Sequence, residues 1–308
     1  MAPWRAARPV TERALAGWAR AEGTCGELVQ GVLATGEHFH VTCPIRWRAA
    51  VALRARPAPV LRVAGLPRGK EKLARALAAT ARLLGTGPVA IEASPSSVLP
   101  VGKGMGSSTA DVVAGARALA SAYGVVLAPA QLARIATAIE LSDGTMYDGV
   151  VAFCRRTGEV LRQYPWHPRF AVVMAIPPGR VRTESVDFAG KARLTRQFDH
   201  LLACLDEAAA RRDPLPFAHA ATRSAAFNQP FLANRLFERL REEQARLGAA
   251  GVVVGHTGTL AGLLYPLDAQ ATDAEAEALE RARFAARALA SRLSRVRLAV
   301  TLTTGGTG

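Results

Sequence analysis

Residues 102–109 read GKGMGSST: glycines at 102, 104 and 106, then two serines and a threonine. Glycine lacks Cβ and takes positive φ freely, so alternate glycines let backbone N–H groups converge on a closely held ligand. The residues that follow have helical spacing, and a helix start offers unpaired N–H donors and partial positive charge. Together these make an anion site, most often one for phosphate. Lys103 adds a cation inside the loop. The hydroxyls of Ser107 and Ser108 suit phosphate oxygens or a hard cation such as Mg2+.

Other chemistry-bearing residues cluster at three places. GTCGELVQG (23–31) sets Glu27 and Gln30 between glycines. ELSDGTMYDG (140–149) carries Glu140, Asp143 and Asp148, and a three-residue spacing puts the first two on one side of a helix end. GHTGTLAGLL (255–264) is a second glycine loop, with His256, Thr257, Gly258 and Thr259. The four cysteines are far apart and form no Cys-x-x-Cys pair, so neither a zinc site nor a disulfide framework is signalled. They read as reduced thiols of a cytoplasmic protein, and Cys25 as a small packing residue with no adjacent base.

These residues need elements to hold them. Alternating β-branched residues predict strands at 29–33, 38–42 and 48–56, a helix over 70–84 and a strand at 89–92. Pro95 and Pro100 then bracket a loop into the glycines. A helix follows, with Ser108 and Asp111 at capping-box spacing and Gly124 as its stop. A second helix runs from Pro129 to about Ser142. Short strands are expected at 150–154 and 159–164, and PWHP (165–168) is a plausible boundary. Beyond it come a buried strand at 170–176, three helical stretches to 247, and strand–glycine loop–strand over 251–266. A helix capped by Thr272 and Glu275 and a strand at 297–301 complete the order, and the TLTTGGTG tail reads as flexible. This succession predicts an α+β protein of two domains.

The chain has 308 residues, 50% of them hydrophobic and 21% charged, enough for a sizeable core and not a disordered composition. No apolar run reaches the roughly 20 residues of a membrane span. MAPWRAARPVTERALAGWAR lacks an apolar core, which excludes a secretory signal; its composition is shared with transit peptides, and we read it as a surface arm. The net charge of +14 comes from scattered arginines, in keeping with an Ala/Arg-rich coding bias or an anionic ligand such as a nucleotide.

Which phosphate loop is it? A Gly-x4-Gly-Lys-Ser/Thr loop is absent, since GLPRGK (65–70) has the wrong spacing and no hydroxyl. A dinucleotide fingerprint would need glycine at 107, which is serine. PVGKGMGSSTA (100–110) instead resembles the nucleotide-phosphate loop of the GHMP kinase superfamily, Pro-x3-Gly-Leu-Gly-Ser-Ser-Ala-Ala, with Met105 for leucine and Thr109 for alanine. GTCGELVQG resembles the N-terminal motif of its L-threonine kinase branch, and GHTGTLAGLL its third motif, so the resemblance spans residues 23–300.

The resemblance implies the two-domain GHMP fold. A ribosomal-protein-like α/β domain would occupy 23–166 after an arm at 1–22, and a ferredoxin-like domain 167–308. It implies ATP and Mg2+. Gly102, Lys103, Gly104, Met105 and Gly106, with Ser107, Ser108 and Thr109, would hold the phosphates. Ser108 and Glu140 would ligate Mg2+. Asp143 would accept or orient the acceptor's hydroxyl proton, with Asp148 a competitor for either carboxylate role. Glu27, Gln30, His256, Thr257, Gly258 and Thr259 would face the acceptor, Glu27 suiting an ammonium and an arginine, His256 or glycine-loop N–H groups a carboxylate. Relatives elsewhere in the superfamily carry a lysine where this chain has Glu22-Gly23-Thr24. The acceptor implied is L-threonine, giving O-phospho-L-threonine for the aminopropanol linker of cobalamin. Homoserine, serine or a natural-product alcohol are alternatives. A non-catalytic nucleic-acid binder is permitted by the charge, but the glycine loop with Asp143 argues against it.

Overall fold

The computed structural model describes residues 14–164, 166–179, 191–256, 258–267 and 272–304. Two long strands form its spine. β1 (Leu15–Val32) and β2 (His38–Pro57) pair antiparallel from Leu15↔Ala55 to Val32↔His38. The register slips three times between Glu22 and Val29, and such bulges re-aim side chains out of strict alternation. Glu27 lies in this irregular stretch. The first half of β1 alternates exposed and half-buried residues, as a one-faced strand does; the second half is buried throughout because helices cover it.

Around the spine lie α1 (Glu71–Leu84), β4 (Val89–Ser97), α2 (Ser107–Ala122), α3 (Pro129–Thr137), β5 (Val150–Cys154) and β6 (Val160–Tyr164), with the short β3 (Arg62–Ala64) at the sheet edge. The second half supplies β7 (Phe170–Ile176), α4 (Thr195–Arg211), α5 (Leu215–Asn228), α6 (Phe237–Arg246), β8 (Gly251–Val254), β9 (Ala261–Pro266), α7 (Ala274–Ala290) and β10 (Arg297–Leu302). The sheet order is β10-β7-β9-β8-β1-β2-β4-β3, with β5 and β6 joined through β2. β1 meets β8 at Glu27↔Val254, so the two halves share one sheet at the strand that carries the first motif.

The core has two parts. One joins Leu28, Phe39, Ile45, Leu73, Leu77 and Leu119; the other gathers Val173, Phe237, Leu263, Tyr265 and Leu289. Each such side chain contributes about 1.5–3 kcal/mol by leaving water. Among the described residues no helix is long and apolar enough to cross a membrane.

Several expectations change. Residues 15–22 are not an arm but the opening of β1, paired to β2 as far as Glu22↔Arg48; residues 1–13 lie outside the described residues. Pro95 sits inside β4, opposite Val51, rather than in a loop. The cap of α2 is Gly106, not Ser108: Ser108 lies within the first turn and its hydroxyl bonds elsewhere. α3 ends at Thr137, leaving Glu140 and Asp143 on the segment after it. The Thr272–Glu275 capping box does not form; Asp273 precedes the helix, and Glu275 pairs with Arg46 and Arg169. At the tail, Thr303 exchanges hydrogen bonds with Phe170 and the Thr304 amide donates to the Pro44 carbonyl; residues 305–308 lie outside the described residues.

Candidate active site

The glycine loop leads into α2 through three left-handed residues: Gly102 at φ 72°, Gly104 at 77° and Gly106 at 61°. Gly106 is the helix cap, and no side chain caps the first turn. The N-terminus of α2 therefore meets a cleft of about 700 Å3 that Gly102, Gly104, Gly106, Ser107 and Ser108 help to line. The loop is tied down from behind. The Met105 carbonyl accepts a hydrogen bond from Thr24 N at 3.0 Å, and the Met105 side chain is buried. A Cβ on Gly106 would come within 2.9 Å of Asp143 Oδ2, so glycine lets the helix start and the acidic segment approach each other.

Lys103 does not line the cleft. Its side chain is buried and its Nζ donates to the carbonyls of Pro177 and Gly179, beyond β7. It ties the loop to the second half of the chain. Thr109 is buried in the first turn of α2 and still borders the cleft.

One wall is acidic. Ser108 Oγ donates to Glu140 Oε2 at 2.8 Å, which brings together the two residues that the resemblance implies for Mg2+. Lys72 Nζ reaches the same oxygen at 2.5 Å. Asp111, one turn along α2, is paired with Lys70. Burial pushes its carboxyl up, and Lys70 opposes the shift. Glu140 Oε1 and Asp111 Oδ1 are buried without a hydrogen-bond partner among the described residues. Carboxylate and hydroxyl oxygens in this arrangement are the donor set a hard divalent cation takes.

The closed end is built from five elements. Glu27 from β1, His40 from β2 and Asp143 from the segment after α3 face one another; His40 Nδ1 is 3.7 Å from Glu27 Oε1 and 3.7 Å from Asp143 Oδ1. Burial holds the Glu27 carboxyl well above the usual carboxylate range, the Asp143 charge adds to the shift, and Thr42 and Arg155 oppose it. Arg155, just after β5, is buried; its Nη1 donates to His256 Nε2. An arginine has no acceptor, so His256 is the neutral tautomer with the proton on Nδ1, and that N–H donates to Gln30 Oε1. Burial lowers the guanidinium pKa, while Asp143 and Glu27 oppose that.

Gln30 thus backs the site without lining the cleft, while Glu27, Asp143, Arg155 and His256 line it. The second glycine loop has a different part from the one expected. Leu260 N donates to the Lys103 carbonyl at 3.2 Å, and a Cβ on Gly258 would fall on that carbonyl. Its glycine is there for two loops to pack backbone on backbone. Gly258 and Thr259 do not line the cleft, and Thr257 lies outside the described residues. Asp148 points away: its side chain is 69% exposed and lies 3.4 Å from His167.

Sequence reasoning missed His40, Arg155, Lys70 and Lys72. His40 carried one signal, a residue ionisable near neutral pH in the middle of a strand segment otherwise without one, FHVTC. Arg155 carried none, because its partner His256 is 101 residues away.

Known proteins resemble this chain in sequence and in fold. Residues 71–155 match the family model described as GHMP kinases N terminal domain. Along 80% of its length the chain is 29% identical to an L-threonine kinase of Salmonella typhimurium, of which the match covers 82%. A homoserine kinase structure from Cytophaga hutchinsonii superposes with a TM-score of 0.64 at 17% identity, covering 95% of each chain. An L. major mevalonate kinase in complex with R-mevalonate gives 0.64 at 16% identity over 99% of each. Those likenesses carry the α+β fold of these kinases, and residues 71–155 are similar to the N-terminal domain of the GHMP kinases.

Proposed function

We propose that this protein transfers the terminal phosphoryl group of ATP to the side-chain hydroxyl of L-threonine, giving ADP and O-phospho-L-threonine. The observation that carries the reading is that one cleft combines an uncapped helix start on a glycine loop with Asp143 and, at its closed end, both a buried carboxyl and a buried guanidinium. The first two suit phosphoryl transfer to an alcohol; the last two suit the ammonium and carboxylate of an amino acid. The L-threonine kinase relative points to the same acceptor.

The α2 N-terminus and the loop amides take the triphosphate charge. Ser108 and Glu140 fit a cation through their oxygens, and Mg2+ bound there with the nucleotide would supply charge neutralisation during transfer. Lys70 and Lys72 line the same wall and add positive charge. Glu27, buried at the end of the cleft with His40 Nδ1 3.7 Å away, receives the ammonium. Arg155, held by His256, which Gln30 holds in turn, receives the carboxylate as a planar donor. Asp143 then accepts or orients the hydroxyl proton while the oxygen attacks phosphorus. Residues 23–166 would form the nucleotide-binding domain and 167–308 its companion. We extend the reading to a cytoplasmic enzyme whose product serves the aminopropanol linker of cobalamin.

The test is ADP release by purified protein with MgATP, comparing L-threonine with L-valine, which has the same shape without the hydroxyl. Threonine-dependent release that Asp143→Ala abolishes supports the reading; equal release with valine contradicts it.

A further inference from the structure

We propose that Glu27, His40 and Asp143 form a cation site apart from the one at Ser108 and Glu140, for a nitrogen-seeking divalent ion such as Zn2+. An ion there would inhibit the enzyme by taking the place of the acceptor's ammonium. The inhibition rests on the kinase reading above; the binding rests on the geometry of the three side chains.

Spacing comes first. His40 Nδ1 is 3.7 Å from Glu27 Oε1 and 3.7 Å from Asp143 Oδ1. One ligating atom from each of the three residues lies within 4.8 Å of the others. A point equidistant from three atoms so spaced is roughly 2.0–2.4 Å from each, against about 2.0–2.2 Å for zinc to imidazole nitrogen or carboxylate oxygen. A second observation is the state of Glu27: its side chain is 2% exposed, and its Oε2 is buried without a hydrogen-bond partner among the described residues. Third, all three residues line the cleft, so an ion held by them keeps an open position for water.

The donor set decides which ion. One imidazole nitrogen with two carboxylates suits Zn2+ or Co2+, whereas Mg2+ asks for oxygen and is served by Ser108 and Glu140. The ring is held for the task, its centroid 4.1 Å from that of His256, which Gln30 and Arg155 pin in turn. Arg155 also faces Glu27 and Asp143, and its charge opposes a cation. The ion is therefore an exchangeable inhibitor and not a structural one. It and the amino acid exclude each other, because the ammonium needs Glu27 and the hydroxyl needs Asp143.

The experiment titrates Zn2+ by calorimetry, and Co2+ by visible absorption, into the nucleotide-free natural protein, His40→Ala, His40→Gln and Cys204→Ser, with thermal melts of each. Cys204 is included because its thiol lies 3.6 Å from His200, a second pairing of metal-binding side chains away from the cleft. The natural protein and Cys204→Ser are expected to bind the ion alike and to release it when L-threonine is added. His40→Ala and His40→Gln are expected to weaken binding by about tenfold or more, since each lacks the nitrogen ligand. At fixed MgATP and buffered free Zn2+, the ion is expected to raise the KM for threonine and leave kcat unchanged. If His40→Ala fails to fold, His40→Gln and the displacement of Co2+ from the natural protein by threonine decide. No binding, binding unchanged in the His40 variants, or binding that Cys204→Ser removes overturns the site. Inhibition relieved by MgATP and not by threonine also overturns it. Zn2+ binding weakened in the His40 variants of a protein that releases no ADP with any hydroxyl acceptor supports the site and overturns the kinase reading.

Discussion

Gly106→Ala should separate the stability of this protein from its activity. Gly106 has φ 61°, and a built Cβ would sit 2.9 Å from Asp143 Oδ2 and 2.9 Å from Thr24 Cγ2, about 0.5 Å inside the 3.4 Å where ordinary contact begins. Alanine in the left-handed region costs about 1 kcal/mol. For a chain of this length that lowers Tm by roughly 2 °C. The collision acts on the chemistry instead, because the atom that must give way is the carboxylate we assign to the acceptor hydroxyl. Misplacing a reacting group by 1 Å costs about a hundredfold, so a shift of half that size should lower kcat roughly tenfold. Gly36→Ala is the control: its φ is 85° and nothing lies within 4 Å of the added Cβ. It incurs the same backbone cost without touching Asp143. Thermal melts and threonine-dependent ADP release on both variants give the comparison. Equal Tm shifts with activity lost only in Gly106→Ala are expected. Full activity in Gly106→Ala, or equal activity loss in both variants, would refute the placement of the chemistry at Asp143.

Further predictions follow from the same geometry. The folded protein binds the Glu27 proton more tightly than the unfolded chain does, so the stability tied to this group is full below the ordinary value of 4.5 and is lost as pH rises toward the raised one. Glu27→Gln should therefore flatten the dependence of Tm on pH above 4.5 while weakening threonine binding, seen by melts and calorimetric titration. In the natural protein, threonine affinity should rise with pH as Glu27 ionises; an affinity that falls over that range contradicts the ammonium assignment. Glu140→Gln should raise the Mg2+ concentration for half-maximal activity by about tenfold, in line with the loss of one charged ligand, and a Mg2+ titration at fixed ATP reads it. Asp148→Asn should leave kcat and KM within about twofold, because this exposed carboxylate faces His167 rather than the cleft.

Much of this was legible in the chain, for local reasons. The GKGMGSST loop announces its backbone through glycines alone, and all three adopt the positive φ that makes glycine necessary. FAVVMAI forms β7 because a strand buried on both faces needs no alternation. What the sequence hid is non-local. Ser108 has the residue type and position of a cap, yet glycine at 106 can close the helix and free its hydroxyl for Glu140. Thr272 and Glu275 have capping-box spacing, but Arg46 and Arg169, far off in sequence, take the glutamate. The opening of β1 lies in an Arg-rich segment whose strand character comes from pairing with residues 48–55. The closed end of the cleft needs five separate segments to meet, and no window of sequence contains their pairing. The second glycine loop shows a motif whose residues could be located without their part being readable: Gly258 makes room for a neighbouring backbone, and among the described residues sought there His256 alone lines the cleft.

The central claim is that a phosphoryl group passes from ATP to the hydroxyl of a small amino acid in the cleft at Asp143. Phosphorus NMR on a mixture of purified protein, MgATP and L-threonine tests it most directly, since it identifies the product as well as the turnover. The account predicts a phosphomonoester resonance matching O-phospho-L-threonine, in step with ADP, and slowed by about 10²–10⁴ in Asp143→Asn. ADP accompanied only by inorganic phosphate, or a phosphomonoester formed equally fast by the variant, would contradict it.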